Sequence, residues 1–288
     1  MTLEESPIQE SGAPVRPARP LWLFFVLAYG FTWLCYVPIM LSKEGLGLMS
    51  FSVLGGMADL CVVVGSFGPL VAALLSGSRR ELVRACTRWR VPVRWYVLSI
   101  LGVACVPMIA AFAVPGAADH FSFNAGALPS LAIMFLTVQF VIGALGEEPG
   151  WRGIALPRLQ RRHGPLRAAL ILGVLWGGWH LPLFAYSDWA DPKGGENLGT
   201  LGIYLLMTTA LTIIMTWVFN STGGGVFLMI LFHDALNTGL NAIPEFFPDS
   251  DLADRHLLVA PALGFGLLAT AVLIATRGRL NGPHGEGT

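Results

Sequence analysis

Residues 143–153, GALGEEPGWRG, set Glu147, Glu148 and Arg152 at the end of a long uncharged run, in a chain of 288 residues with only 12% charged. Two further stretches carry polar groups in apolar surroundings. One is WGGWHLPLF (176–184), with Trp176 and His180; the other is FHDALN (232–237), with His233, Asp234 and Asn237. A charge at the centre of a membrane helix costs about 2.5–3.5 kcal/mol on insertion scales, so such residues mark function. Helical geometry sorts them. Glu148 and Arg152, four apart, can pair on one face if helix continues through Pro149. Glu147 lies about 100° further round the axis and is left to face a cavity. Pro149 lacks a backbone donor and predicts a bend where the backbone opens. Trp176 and His180 share a face, as do His233 and Asn237. Glu147 could serve as general base on a water. His180 and His233 could bind a metal, hydrogen-bond that water or donate a proton, and Asn237 could stabilise an oxyanion. These are the parts needed to hydrolyse an amide, and no serine or cysteine in the motifs competes as nucleophile.

Each residue alone has a plainer reading. A single intramembrane histidine or Asn237 can simply bond a neighbouring helix, and Glu148–Arg152 can be an ion pair at a loop edge. Asp234, adjacent to His233, faces elsewhere and reads as supporting or structural; Trp179 reads as packing. It is the joint occurrence of the three motifs that favours a site.

The elements that must position them are membrane helices. Hydrophobic residues make up 54% of the chain, and its mean hydropathy is +0.64. Residues 21–42, 60–78, 95–118, 121–146, 197–232 and 257–276 contain no Asp, Glu, Lys or Arg. Each run reaches the roughly 18 residues that mark a spanning candidate. The run 197–232 breaks at NSTGGG (220–225), a turn signal. The fold class predicted is all-α: a polytopic membrane protein of about eight spans, at 21–42, 55–76, 95–115, 128–149, 168–186, 199–219, 224–242 and 257–276. A disordered tail is expected over 1–20, a transmembrane domain over 21–276 with its catalytic core at 128–243, and a second tail over 277–288. The first apolar run is too long for a cleavable signal and reads as an uncleaved span. Cys35, Cys61, Cys86 and Cys105 show no C-x-x-C spacing and read as packing residues. No nucleotide-binding loop is visible, and no nucleic-acid partner is expected.

Charge orients the chain. Fifteen of the 18 Lys and Arg fall in the N-terminal tail, 77–94, 150–167 and the C-terminus, all on one side of an eight-span protein. The positive-inside rule places that side, with both termini, in the cytoplasm. The membrane is the plasma membrane if the source is prokaryotic. The 77–94 segment reads as a solvated loop or as a surface helix on anionic headgroups. The cavity is expected to face the cytoplasm, because Glu147 stands at the inner end of span four. That placement creates a tension: at about 1.5 Å per residue, His180 lies roughly 18–20 Å deep and His233 roughly 15 Å. Convergence then requires span four to run helically past Arg152, or span five to begin later than 168; both are favoured in part, since Gly164 and Pro165 permit a start anywhere near 165–171.

The motifs Glu147-Glu148-Pro-Gly-Trp-Arg152, Trp176-Gly-Gly-Trp-His180 and His233-Asp-Ala-Leu-Asn237 resemble those of the CPBP family of intramembrane proteases. That family includes the type II CAAX prenyl endopeptidases and the bacterial Abi proteins linked to bacteriocin self-immunity. Trp176 stands where phenylalanine is commoner. The resemblance spans roughly 128–243. It implies that Glu147 activates water assisted by His180, that His233 and Asn237 form the oxyanion site, and that Glu148, Arg152 and Trp176 support them. Family members are labelled metalloproteases, and Glu147, His180 and His233 could hold zinc; a metal-free glutamate mechanism is the alternative. The implied substrate is a peptide or a lipid-modified protein cleaved near its C-terminus, in contact with membrane lipids. The rivals are a non-catalytic, Abi-like immunity or peptide-binding factor, and a transporter or proton relay.

Overall fold

The computed structural model describes residues 19–53, 56–77, 79–185, 197–248 and 258–280. The expected tails fall almost wholly outside these residues. Lipid offers the backbone no hydrogen bonds, so an apolar chain must satisfy its own within helices. Among the described residues every regular element is helical: α1 (Leu21–Leu41), α2 (Gly56–Ser66), α3 (Gly68–Ser76), α4 (Arg79–Cys86), α5 (Val93–Ala111), α6 (Ala127–Leu136), α7 (Gln139–His163), α8 (Pro165–Trp179), α9 (Asn197–Ser221), α10 (Val226–Phe246) and α11 (Val259–Thr276), with short 3-10 turns at Ala117–His120 and Leu181–Ala185. α2 and α3 form one span broken at Phe67. Among the described residues six helices are long and apolar enough to cross a membrane, and α6 with α7, bent by 46°, makes a seventh if the pair counts as one span. α8 is a shorter apolar helix of 15 residues. With α8 included, the layout accords with about eight membrane helices.

The turns follow residue chemistry. Gly164 adopts a positive φ of 74° between α7 and α8, and Pro165 opens α8 where its missing donor costs nothing. Gly223 and Gly224, at 73° and 84°, reverse the chain between α9 and α10 at the predicted NSTGGG turn.

Two expectations about span four are corrected. The helix does not end near residue 149; it continues past Arg152 to His163. Nor does it bend at Pro149. The 46° bend falls between Leu136 and Gln139, and π-helical turns at Gln139–Leu145 and Trp151–Ala155 flank the proline. Wider π turns accommodate the ring and the absent N–H without breaking the rod, and they recur at functional sites. Span five starts at 165, at the early edge of the 165–171 range that Gly164 and Pro165 permit, and its α-helix ends at Trp179. The depth tension is therefore resolved by α7. Glu147 stands sixteen residues before His163, roughly 20 Å from that end.

The arginine loops meet at one end of the bundle. Arg158 donates to the carbonyls of Arg19 and Ser76, Asn220 donates to Gln160 and to the Leu280 carbonyl, and the Arg88 carbonyl lies against Gly225. At the opposite end, Ser122 N–H donates to the Phe246 carbonyl, and Phe112, Phe121 and Phe247 pack together. Close helix approach rests on small residues, as expected where no hydrophobic effect drives association. A Cβ on Gly146 would meet the Ser66 carbonyl oxygen at 2.8 Å, and one on Gly150 the Pro69 carbonyl oxygen at 2.4 Å. The glycines that bracket the glutamate pair thus seat α7 on α2 and α3. Gly173 and Gly177 do the same for α8 against α9, at Thr209 and Thr208.

Candidate active site

Glu147 and Glu148 are both buried and point apart, as their 100° separation requires. Glu148 Oε1 accepts from Arg152 Nη1 at 2.9 Å, the i,i+4 pair anticipated from spacing. The same oxygen accepts from His233 Nδ1 at 2.8 Å. Arg152 is fully buried: its guanidinium lies 4.3 Å from the Trp176 ring centroid, and Nη2 donates to Met215 Sδ at 3.0 Å. One carboxylate is thereby committed to two cationic or protonated partners, which fixes the imidazole of α10 against α7. Charge-assisted bonds of this kind are the strong ones.

Glu147 is held differently. Its Oε2 accepts from Trp176 Nε1 at 2.7 Å and from Trp151 Nε1 at 3.3 Å, leaving Oε1 to the cavity. Two neutral indole donors orient the carboxylate without an ion pair. Trp176 also stands between the imidazoles, with ring centroids 6.1 Å from His180 and 5.3 Å from His233. His180 caps α8, and its Nδ1 bonds the Trp176 carbonyl at 2.9 Å. A carbonyl only accepts, so Nδ1 carries the proton there, and in the neutral ring Nε2 is the acceptor. Behind this segment, Tyr29 donates to the Leu175 carbonyl and Trp33 Nε1 to the Trp179 carbonyl at 3.0 Å, pinning α8 to α1.

Glu147, Trp176, His180, His233 and Asn237 line one cavity of about 430 Å³. Asn237 enters it where Gly143 of α7 has no side chain: a Cβ there would lie 2.9 Å from Asn237 Nδ2. The three motifs are brought together, from α7, α8 and α10. Sequence reasoning missed other members of the lining. Tyr36, Gln139, Tyr204 and Asn241 also face this space, amid apolar walls that include Val62, Leu183, Leu240 and Leu258. Their signal was a polar group in an uncharged span, which is weak for a single Tyr or Gln. Trp151 was overlooked too, although its spacing of four from Glu147 matches that of Glu148 and Arg152. Trp179, read as packing, is fully buried and edge-on to His180 at 4.6 Å. Asp234 is buried, and neither of its carboxylate oxygens has a hydrogen-bond partner among the described residues.

Among the described residues no three His, Cys, Asp or Glu side chains gather as a metal-binding group. In the present arrangement Glu147, His180 and His233 do not fit a three-ligand zinc site.

Most of the lining residues lie toward the helix ends remote from the arginine loops: Tyr36 near the end of α1, Leu183 beyond α8, Tyr204 and Met207 early in α9, Asn241 and Pro244 late in α10, Leu258 before α11. The physical reason is the extension of α7, which carries Glu147 far from the His163 end.

Comparison with known proteins agrees with the motifs. Residues 129–239 match the family model described as type II CAAX prenyl endopeptidase Rce1-like. All three motifs of the cavity lie within the matched stretch. Over 118 residues the chain is 30% identical to CAAX prenyl protease 2 of Methanococcus maripaludis, a match covering 41% of each protein. The chain thus spans less than half the length of that curated relative. The matched stretch coincides with α6 to most of α10, while α1 supplies Tyr36 and α2 supplies Val62 and Ser66 to the same cavity from outside it.

Proposed function

We propose that this protein is an intramembrane endopeptidase in which Glu147 activates a water molecule for attack on a peptide carbonyl. The reading rests on one observation above others: a carboxylate held by two indole N–H groups keeps an oxygen toward a cavity that Asn237 and two imidazoles also line. In the proposed reaction Glu147 Oε1 takes a proton from water as the oxygen bonds to the carbonyl carbon. His180 Nε2 steadies that water, and Asn237 Nδ2 and His233 face the developing oxyanion. Collapse breaks the C–N bond, and Glu147 returns the proton to the leaving amine. Glu148 and Arg152 act by holding His233 and the floor of the site.

The substrate in this reading is a peptide bond in a lipid-modified or membrane-anchored protein, in keeping with the family description and the relative's name. Both termini lie in the cytoplasm, on the strength of the arginine distribution. In a prokaryote the membrane is the plasma membrane. The test is hydrolysis of a reporter peptide by purified protein in detergent. Wild type is expected to cleave, with Glu147→Ala and His180→Ala losing about 10²–10⁴-fold, the usual contribution of a general base. EDTA is expected to leave the rate unchanged. Loss of activity with EDTA that zinc restores would replace the metal-free mechanism. Peptide binding without hydrolysis by wild type would favour the non-catalytic, Abi-like reading.

A further inference from the structure

We infer that α10 carries a second polar site, outside the cavity, at which Asp234 and Thr238 bind a small monovalent cation of the sodium class. The inference is independent of the hydrolysis proposed above.

Asp234 is fully buried inside the bundle. Among the described residues neither of its carboxylate oxygens has a hydrogen-bond partner, and the buried Oγ1 of Thr238 has none either. The two residues are four apart, so these orphaned groups stand one turn above the other on a single face of α10. Neither lines the cavity, which α10 meets with His233, Leu236, Asn237 and Asn241. His233 bonds Glu148 of α7, and Asn237 lies against Gly143 of α7. Asp234 and Thr238 each follow one of these residues, about 100° further round the axis. Their face therefore adjoins the seam between α7 and α10 without sharing its bonds.

The Thr238 hydroxyl is set apart from others in the bundle. Thr212, Thr216, Thr222, Thr270 and Thr276 each donate to the carbonyl four residues back, at 2.6–2.8 Å. Such bonds are the usual resort of a threonine inside a helix. For Thr238 that carbonyl belongs to Asp234, and the bond is not made. The hydroxyl oxygen and the carboxylate below it are both left available to a ligand.

Charge decides which ligand fits. A carboxylate buried without a counter-charge costs several kcal/mol. Arg152 and His233, the cationic side chains on these two helices beside it, both bond Glu148 instead. A water molecule would supply hydrogen bonds but leave the charge unbalanced, and a divalent ion would leave an excess of opposite sign. One monovalent cation closes the balance. The donors are oxygens, which suit hard ions rather than thiophilic metals; main-chain carbonyls and water complete the shell. A cation held there would fix the rotation of α10, and with it the seats of His233 and Asn237.

Thermal unfolding of the purified protein in detergent tests this without relying on cleavage. Sodium chloride is titrated against N-methyl-D-glucamine chloride at constant ionic strength. Sodium should raise the midpoint of wild type saturably, by about 2–4 °C for each 1 kcal/mol of binding free energy gained by the folded state. Asp234→Asn should lose the response, and Asp59→Asn, which changes an exposed carboxylate on α2, should keep it. Thr238→Val should raise the sodium concentration needed for half the shift, a readout that stands even if Asp234→Asn fails to fold. Equal midpoints for wild type in the two salts would overturn the inference, since the carboxyl would then hold a proton. A sodium response that persists in Asp234→Asn, or a Thr238→Val titration identical to wild type, would overturn it as well.

Discussion

Glu147 and Glu148 are adjacent, chemically identical and differently employed, and the partner set decides which does what. Glu148 shares one oxygen between Arg152 and His233, whereas Glu147 receives two indole N–H bonds and keeps an oxygen toward the cavity. Trp176→Phe isolates the indole's contribution, since the ring is kept and the 2.7 Å bond is lost. A hydrogen bond to a charged group is worth about 1.5–3 kcal/mol, so kcat should fall about 10–100-fold with KM little changed; an unchanged kcat would show that the bond does not orient the base. At this scale the sequence was informative where partners share a helix. The spacing of four identified Glu148–Arg152, and the 100° step separated Glu147 from it. His233 to Glu148 spans 85 residues and was not legible, because a bond between two helices depends on their packing, which no local spacing encodes.

At the scale of elements, the decisive one is α7. The hydropathy pattern bounds it near Pro149, while the depth of the two histidines favours helix running on past Arg152. Burial of Arg152 is compensated by Glu148, Met215 and the Trp176 face, so the helix continues. Removing one member of such a pair typically costs about 3–5 kcal/mol, which makes the extension of α7 dependent on both residues. Its seat on α3 is equally specific. Gly150→Ala would set a Cβ 2.4 Å from the Pro69 carbonyl oxygen. Overpacking of this kind costs about 1–3 kcal/mol and should lower the thermal midpoint measured in detergent. Gly30→Ala, on an open face of α1 with nothing within 4 Å, should leave it unchanged or higher. Equal effects of the two substitutions would contradict close α7–α3 packing. The span positions were legible from uncharged runs, and the 220–225 turn from its glycines. The π turns and the break at Leu136–Gln139 were not, since nothing in apolar composition distinguishes a bent helix from a straight one.

At the scale of the molecule, the arginine loops, both ends of the described chain and the tightly packed half of the bundle lie together, and the cavity occupies the other half. The approximate number of membrane helices followed from hydropathy and charge asymmetry, but the depth of the cavity did not, because it depends on how far α7 extends beyond the glutamates. The central claim, that Glu147 performs hydrolysis there, is tested most directly by comparing protein C-termini in membranes from cells carrying wild type or Glu147→Gln at equal abundance. Shortened C-termini present with wild type and missing with the glutamine variant are predicted; identical C-termini in the two membranes, or full processing by Glu147→Gln, would contradict it.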